Sequence, residues 1–358
     1  MKIRKKLMPF ILVLAFVPAL SPIMVFAKDY GDSIYHIPWR FSVYEYPDKA
    51  ARRIATFAPQ YIRITYTNEY GWAKIPTVHG EYWVYLNLAP PLWGRTVILD
   101  AGHGLGADIT FMNYSEQATM LRLALKAKPL LEELGATVLL TRGAPENVPL
   151  HTRPALINKW TLQALRAASD CEEEIAEIDR LIHIMEKIIA NPEYYASIYM
   201  SAPFDWTRRR AIHPDLRRIF YLQNNPIIYQ NFLAISLHTN ATSRPVNTGV
   251  NGADVYIISN TTHYSINYFN NYTNFERSRT FADLLLDKID ALGISRRQIS
   301  THNAFVLIRE HNIPAALVEN GFHTNPSDRA KLMCNIFLQS LAAAYARAIV
   351  DYFNQIRY

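Results

Sequence analysis

The sequence predicts an α/β protein: a mostly parallel central sheet flanked by helices on both faces, preceded by a small all-β domain. Three observations predict it. From residue 94 onward, short near-continuous apolar runs alternate with stretches of helical periodicity. Residues 28–90 instead carry short alternating, aromatic-rich runs separated by turn residues. Half of the 358 residues are hydrophobic, enough for a core spread over two domains, one of them large.

Residues 1–27 stand apart. Lys2, Arg4, Lys5 and Lys6 precede an uncharged apolar run from Leu7 to Leu20, and Val25-Phe26-Ala27 ends in a small residue. This layout predicts an export signal cut after Ala27. The run is shorter than the roughly 20 residues of a membrane span, so no integral membrane domain is expected after cleavage. The mature chain is expected outside the cytoplasm, periplasmic or extracellular. Losing four basic residues and no acidic ones takes the formal charge from +6 to +2. The basic pI therefore says little about polyanions, and no arginine-rich run with interleaved aromatics points to nucleic acid.

In residues 28–90, Tyr61–Tyr66 and Tyr82–Leu86 read as strands, with turns at Tyr46-Pro47-Asp48, Asn68–Gly71 and His79-Gly80. Gly71–Ile75 followed by Gly80–Val84 resembles the end of a bacterial SH3-like barrel. A boundary is expected at Ala89-Pro90-Pro91. Strands are then expected at 95–100, 136–141, 232–237, 253–258 and 315–319. A helix runs from Glu116 to Leu134, with Pro129 inside it, and further helices are expected at about 275–292 and 328–354. Residues 159–230 interrupt the alternation as a mainly helical insertion. Within it, the apolar stripe of 170–189 marks a helix, Ser169 with Glu172 fits a capping box, and Asn191-Pro192 ends it. Cys334 falls in an expected buried helix face, so Cys171 and Cys334 read as buried thiols, and no CxxC pair makes them metal ligands.

Four residues carry the chemistry. His103 follows the strand ending at Asp100, Glu116 opens the next helix, His238 follows the strand ending at Leu237, and Glu319 ends its strand. Open α/β sheets bind ligands at the carboxyl ends of their strands, so these residues can converge across more than 200 positions of sequence. Two imidazoles and a carboxylate suit a catalytic zinc with one open position for water. An unligated glutamate beside it suits a general base and acid.

Taken in order, Val97–Gly104, Glu116-Gln117, Gly135–Arg142, Leu150–Arg153 with Asn158, Ile235–Ala241 and Pro314–Phe322 with Thr324-Asn325 resemble the zinc-dependent N-acetylmuramoyl-L-alanine amidases of the amidase_3 type. The resemblance covers residues 94–350 and implies a catalytic domain at 91–358. It implies that His103, Glu116 and His238 bind one zinc ion and that Glu319 is catalytic. It also implies peptidoglycan as partner and substrate, cut between the lactyl group of N-acetylmuramic acid and L-alanine. It names no regulatory protein partner. Asn240, Arg309 and His323 are candidates for contacting substrate.

The chain departs from the family pattern at Gly104–Asp108, at Asn113, at His323 where an apolar residue is usual, and in the 159–230 insertion. That insertion is expected to buttress the fold, to cover the site or to widen a groove, with the basic 208–218 stretch near it. A peptidase acting on stem peptides is disfavoured by the absence of an H-E-x-x-H helix. A serine hydrolase is disfavoured by the absence of a G-x-S-x-G elbow. A non-catalytic wall-binding protein would predict a broken metal set.

Overall fold

The computed structural model describes residues 33–37, 40–58, 60–67, 71–86, 91–104, 110–200, 212–243, 249–258, 269 and 271–356. The expected signal, the Ala89-Pro90 boundary, the Leu105–Asp108 departure and residues 208–211 of the basic 208–218 stretch lie outside these residues. The chain divides into two compact units between Leu88 and Ala89.

The first unit is all-β. Strands β1 (Ser33–Ile37) and β4 (Gln60–Ile64) pair antiparallel. β2 (Phe41–Tyr44), β3 (Arg53–Phe57), β5 (Tyr66–Thr67), β6 (Trp72–Thr77) and β7 (Gly80–Tyr85) form an antiparallel sheet in the order β3-β2-β7-β6-β5. Period-two alternation puts Phe41, Val43, Ile75 and Val84 into one small core with Ile62 and Ile64.

The second unit is built on six strands: β8 (Thr96–Ala101), β11 (Thr137–Leu140), β12 (Phe232–Asn240), β13 (Ala253–Ile257), β14 (Arg296–Thr301) and β15 (Ala315–Phe322). Their order is β11-β8-β12-β15-β13-β14. The first four run parallel, as expected. β13, however, is antiparallel to β15 while parallel to β14, so the sheet is mixed. The physical reason is that a strand buried on both faces shows the same apolar run whichever way it points. A short hairpin, β9 (Thr110–Phe111) and β10 (Tyr114–Ser115), turns through Met112 and Asn113, both at positive φ. Asn113 thus serves a tight turn that suits its side chain.

Helices cover both faces. α1 (Glu116–Glu133) rests on β8, β11 and β12. α7 (Phe275–Asp290) rests on β13, β14 and β15, and α10 (Asn335–Gln355) bridges α1 and α7. On the opposite side chains of the strands, Ile98, Ala234 and Leu317 share a core with α2 (Thr152–Ala168), α3 (Glu172–Ala190), α4 (Pro192–Tyr199), α5 (Pro214–Gln223) and α6 (Pro226–Tyr229). The insertion is therefore continuous with this core. Fully buried Gln223 of α5 donates to Asn158 Oδ1 at 2.8 Å and accepts from Asn312 N at 2.7 Å. Among the described residues no single helix is long and apolar enough to cross a membrane.

Local boundaries moved where side-chain bonds won. α3 starts after Cys171, and Ser169 bonds Glu174 at 2.6 Å rather than closing a box with Glu172. Asn191-Pro192 ends α3 but also caps and opens α4, because a proline needs no N–H at a first helical position. The last helical stretch breaks at Cys334, whose extended backbone separates α9 (Pro326–Met333) from α10. Cys171 and Cys334 consequently sit at helix caps, exposed and unpaired with each other, not buried.

His311 is buried between α2 and the sheet, beside Ile157, Ile98 and Ala315. Burial pushes its imidazole down to about 4, although the nearby Leu307 carbonyl favours the charged form. An unfolded histidine titrates near 6.5, so the unfolded chain takes the proton first as pH falls. This stability is full above pH ~6.5 and is lost through the window down to about 4, by roughly 3 kcal/mol. Urea unfolding from pH 7 to pH 4 should show that loss, and His311→Leu should flatten it; an unchanged slope in the variant would assign the loss to other groups.

Candidate metal centre

His103 lies two residues beyond the end of β8, and Glu116 is the first residue of α1. Ser115 caps that helix by accepting from Ala118 N at 3.2 Å, which aims Glu116 back over the sheet edge. His238 sits in β12 and is paired in register with Glu319 of the parallel neighbour β15. Partners in register project to the same side, so Glu319 stands beside the His238 ring.

The three ligand candidates meet. Glu116 Oε1 is 3.2 Å from His103 Nε2, 3.1 Å from His238 Nδ1 and 2.8 Å from Thr239 N, which donates to it. One ligand atom from each of His103, Glu116 and His238 lies within 4.8 Å of the others. Glu116 is 1% exposed, and its Oε2 is buried without a hydrogen-bond partner among the described residues. A buried carboxylate oxygen with no partner is unusual, and a cation between two imidazoles would satisfy it. The donor set fits zinc.

The electrostatics agree with a cation site. Burial opposes charge on Glu116, but hydrogen bonds and Coulomb attraction from His103 and His238 outweigh it and hold the carboxyl at about 2. Burial likewise opposes charge on His238, yet Glu116 raises it overall. Glu319 behaves in the opposite way. Burial pushes it up, to about 8; His238 opposes the rise, and Glu116 and Asp254 add to it. Its Oε2 also has no hydrogen-bond partner among the described residues.

The group opens on a cleft of about 570 Å³. Asn240 and His323 line it, with Asn147, Leu150 and Phe305. His323 is fully buried, stacked on Tyr114 with ring centroids 5.2 Å apart, and its Nδ1 lies 3.1 Å from Thr239 Oγ1. Arg309 is not part of the cleft. It belongs to α8 (Val306–Arg309), is buried, and turns its guanidinium to Glu310 Oε1 at 3.1 Å and the carbonyls of Asn303 and Ala304. Burial demanded a countercharge, so the expected substrate contact became a wall brace. None of the described residues lining the cleft comes from 159–230. Arg218, from the basic stretch, pairs with Glu177 of the insertion itself at 2.8 Å.

Sequence reasoning missed Asp100, Arg142 and Arg153, although all three fall inside matched motifs. It also missed Thr239, which bridges Glu116, Tyr114 and His323. The neighbouring His238-Thr239-Asn240 run was the available signal.

These features define a class: an α/β protein with a candidate metal centre at the carboxyl ends of its strands. The particular family follows from comparison. The family described as N-acetylmuramoyl-L-alanine amidase, Amidase_3, matches residues 97–165 and 205–351, more than half of the chain. The chain belongs to this family. The gap in the match falls on α3 and α4. AmiA, an N-acetylmuramoyl-L-alanine amidase of Salmonella typhimurium, is 33% identical over 79 residues, which are 22% of this chain and 27% of that protein. A sporulation-specific N-acetylmuramoyl-L-alanine amidase of Bacillus subtilis is 41% identical over 66 residues, 18% of this chain and 26% of that one. The chain thus aligns with about a quarter of the length of these relatives. The solved N-acetylmuramoyl-L-alanine amidase of Clostridium difficile 630 is 18% identical with a TM-score of 0.46, over 73% of this chain and 98% of that one.

Gly102 gives a direct test of the geometry. A Cβ there would stand 2.4 Å from the His238 ring. Gly102→Ala should displace that ring and weaken zinc binding at least about tenfold, on the scale of a disturbed ligand shell, with far-UV circular dichroism unchanged. Unaltered zinc affinity in Gly102→Ala would contradict the placement of His238.

Proposed function

We propose that this chain is an exported zinc-dependent N-acetylmuramoyl-L-alanine amidase that cuts the amide between the lactyl group of N-acetylmuramic acid and L-alanine of peptidoglycan. One observation carries the reading: His103, Glu116 and His238 converge on one point beside Glu319, whose buried Oε2 has no hydrogen-bond partner among the described residues, inside a chain of the Amidase_3 family. Cell-wall remodelling or daughter-cell separation is the process such a cut serves.

His103 Nε2, His238 Nδ1 and Glu116 would hold the zinc. When bound, zinc polarises a carbonyl and brings a water toward a pKa of about 7. Glu319 takes the proton of the attacking water on its carboxylate and delivers it to the departing amine nitrogen. One C–O bond forms, one C–N bond breaks, and Glu319 ends as it began. Glu319 must be ionised to start. Burial alone disfavours that, and a dication held by the neighbouring ligands would favour the ionised form. Asn240 and His323, which line the cleft, are proposed to contact the substrate's polar groups. The 159–230 insertion is read as a buttress, supported by its shared core with the sheet. The first unit, from its residue pattern and all-β pairing, is read as an SH3-like module for holding the wall polymer.

The test uses the chain from Lys28 onward on purified peptidoglycan, with products identified by mass spectrometry. Intact stem peptides with a free L-alanine amine are expected, and a chelator should stop their release. Glu319→Ala should retain zinc while turnover falls by about 100-fold or more, the scale of a lost general base. Cuts within the peptide or the glycan would assign another reaction, and full activity in Glu319→Ala would remove its role.

A further inference from the structure

Three consecutive carbonyls leading into the His103 ring accept hydrogen bonds from two buried guanidinium groups. Arg142 donates from Nε to Ala101 O at 3.2 Å and from Nη2 to Gly102 O at 3.0 Å. Arg153 donates from Nη1 to Ala101 O at 2.8 Å and from Nη2 to His103 O. The bonds fall where the backbone needs support. His103 has φ +60, a left-handed conformation that a residue with a side chain adopts at a penalty.

The same two arginines reach the carriers of the other ligands. Arg142 Nη2 also donates to Gln117 O at 2.9 Å, in the first turn of the helix that Glu116 opens. Arg153 Nη1 meets Asp100 Oδ1 at 2.8 Å. Asp100 Oδ2 accepts from Ser236 Oγ at 2.7 Å, two residues before His238 on β12. Thr141 Oγ1 adds a further bond to Asp100 Oδ1. Burial disfavours charge on Asp100, and Arg153 with the two hydroxyls outweighs it and keeps the carboxyl low. The network thus spans β8, α1 and β12, the three elements that bear His103, Glu116 and His238.

We propose that Arg142, Arg153 and Asp100 are positioning residues that hold His103, Glu116 and His238 in their ligating arrangement before an ion arrives. This rests on the metal reading of the site. Guanidinium is suited to the task because a planar fork serves several carbonyls at fixed angles, whereas an ammonium is a single point charge. Preset ligands lose less freedom when the ion binds, so affinity should track the network even where the fold does not.

Zinc affinity of the full chain, measured by competition with a chromophoric chelator, separates positioning from simple stability. The variants are Arg142→Lys, Arg153→Lys and Leu162→Ala. Leu162 is a fully buried core residue of α2 that lines no part of the cleft. Each arginine variant should bind zinc about 10–100-fold more weakly. Leu162→Ala should lower the melting temperature of the metal-free chain but keep zinc affinity within about twofold of the unaltered chain, since the network is untouched. Ser236→Ala removes one hydrogen bond from Asp100 without removing a buried charge, and should weaken zinc about fivefold; it serves if either arginine variant fails to fold. Arginine variants or Ser236→Ala with unchanged affinity would overturn the proposal, as would an equal loss in Leu162→Ala. A failure of the unaltered chain to bind zinc would overturn the metal reading and this proposal together, which distinguishes the two failures.

Discussion

A carboxylate that is 1% exposed governs this molecule. An isolated anion in that setting is strongly disfavoured and would ordinarily take a proton. Glu116 stays ionised because two imidazoles and the Thr239 amide close on one of its oxygens. Its second oxygen remains without a partner among the described residues. The rest of the second unit reads as the means of bringing those groups together. Parallel strands β8 and β12 end side by side, a capped helix delivers the carboxylate, and glycine at 102 lets the His238 ring lie against the loop backbone.

Support for the site comes from every side of the sheet. Asn320 donates to the His238 carbonyl at 3.1 Å and is itself held by Tyr345 of α10 at 2.8 Å. On the other side, Asn158, Gln223 and Asn312 tie α2 and α5 to the segment after α8, whose start forms a wall of the cleft. Satisfied buried networks of this kind specify one arrangement, because each unpaired member would be costly. Gln223 thus ties the insertion into the same buried network as α2 and the segment after α8.

The candidate site residues were legible because strand ends, a helix start and unusual polar residues coincide in a short list of motifs. His103, Glu116, His238 and Glu319 converge as their positions implied. Arg309 misled, because a sequence does not distinguish an arginine facing a substrate from one turned inward to Glu310 and backbone carbonyls. His323 is 1% exposed, because Thr239 and Tyr114 give it a bond and a ring to stack on inside the fold. In the fold, β14 escaped notice because Arg296-Arg297-Gln298 lacks apolar alternation on an edge strand. The reversed direction of β13 escaped because direction is set by the connection, not by the run itself.

Zinc-loaded crystals examined by anomalous scattering at the zinc edge test the central claim most directly. A single zinc peak per chain bonded to His103, Glu116 and His238, with Glu319 alongside but unligated, is the predicted result. An ion lodged elsewhere, or no ion at this triad in an active preparation, would contradict it.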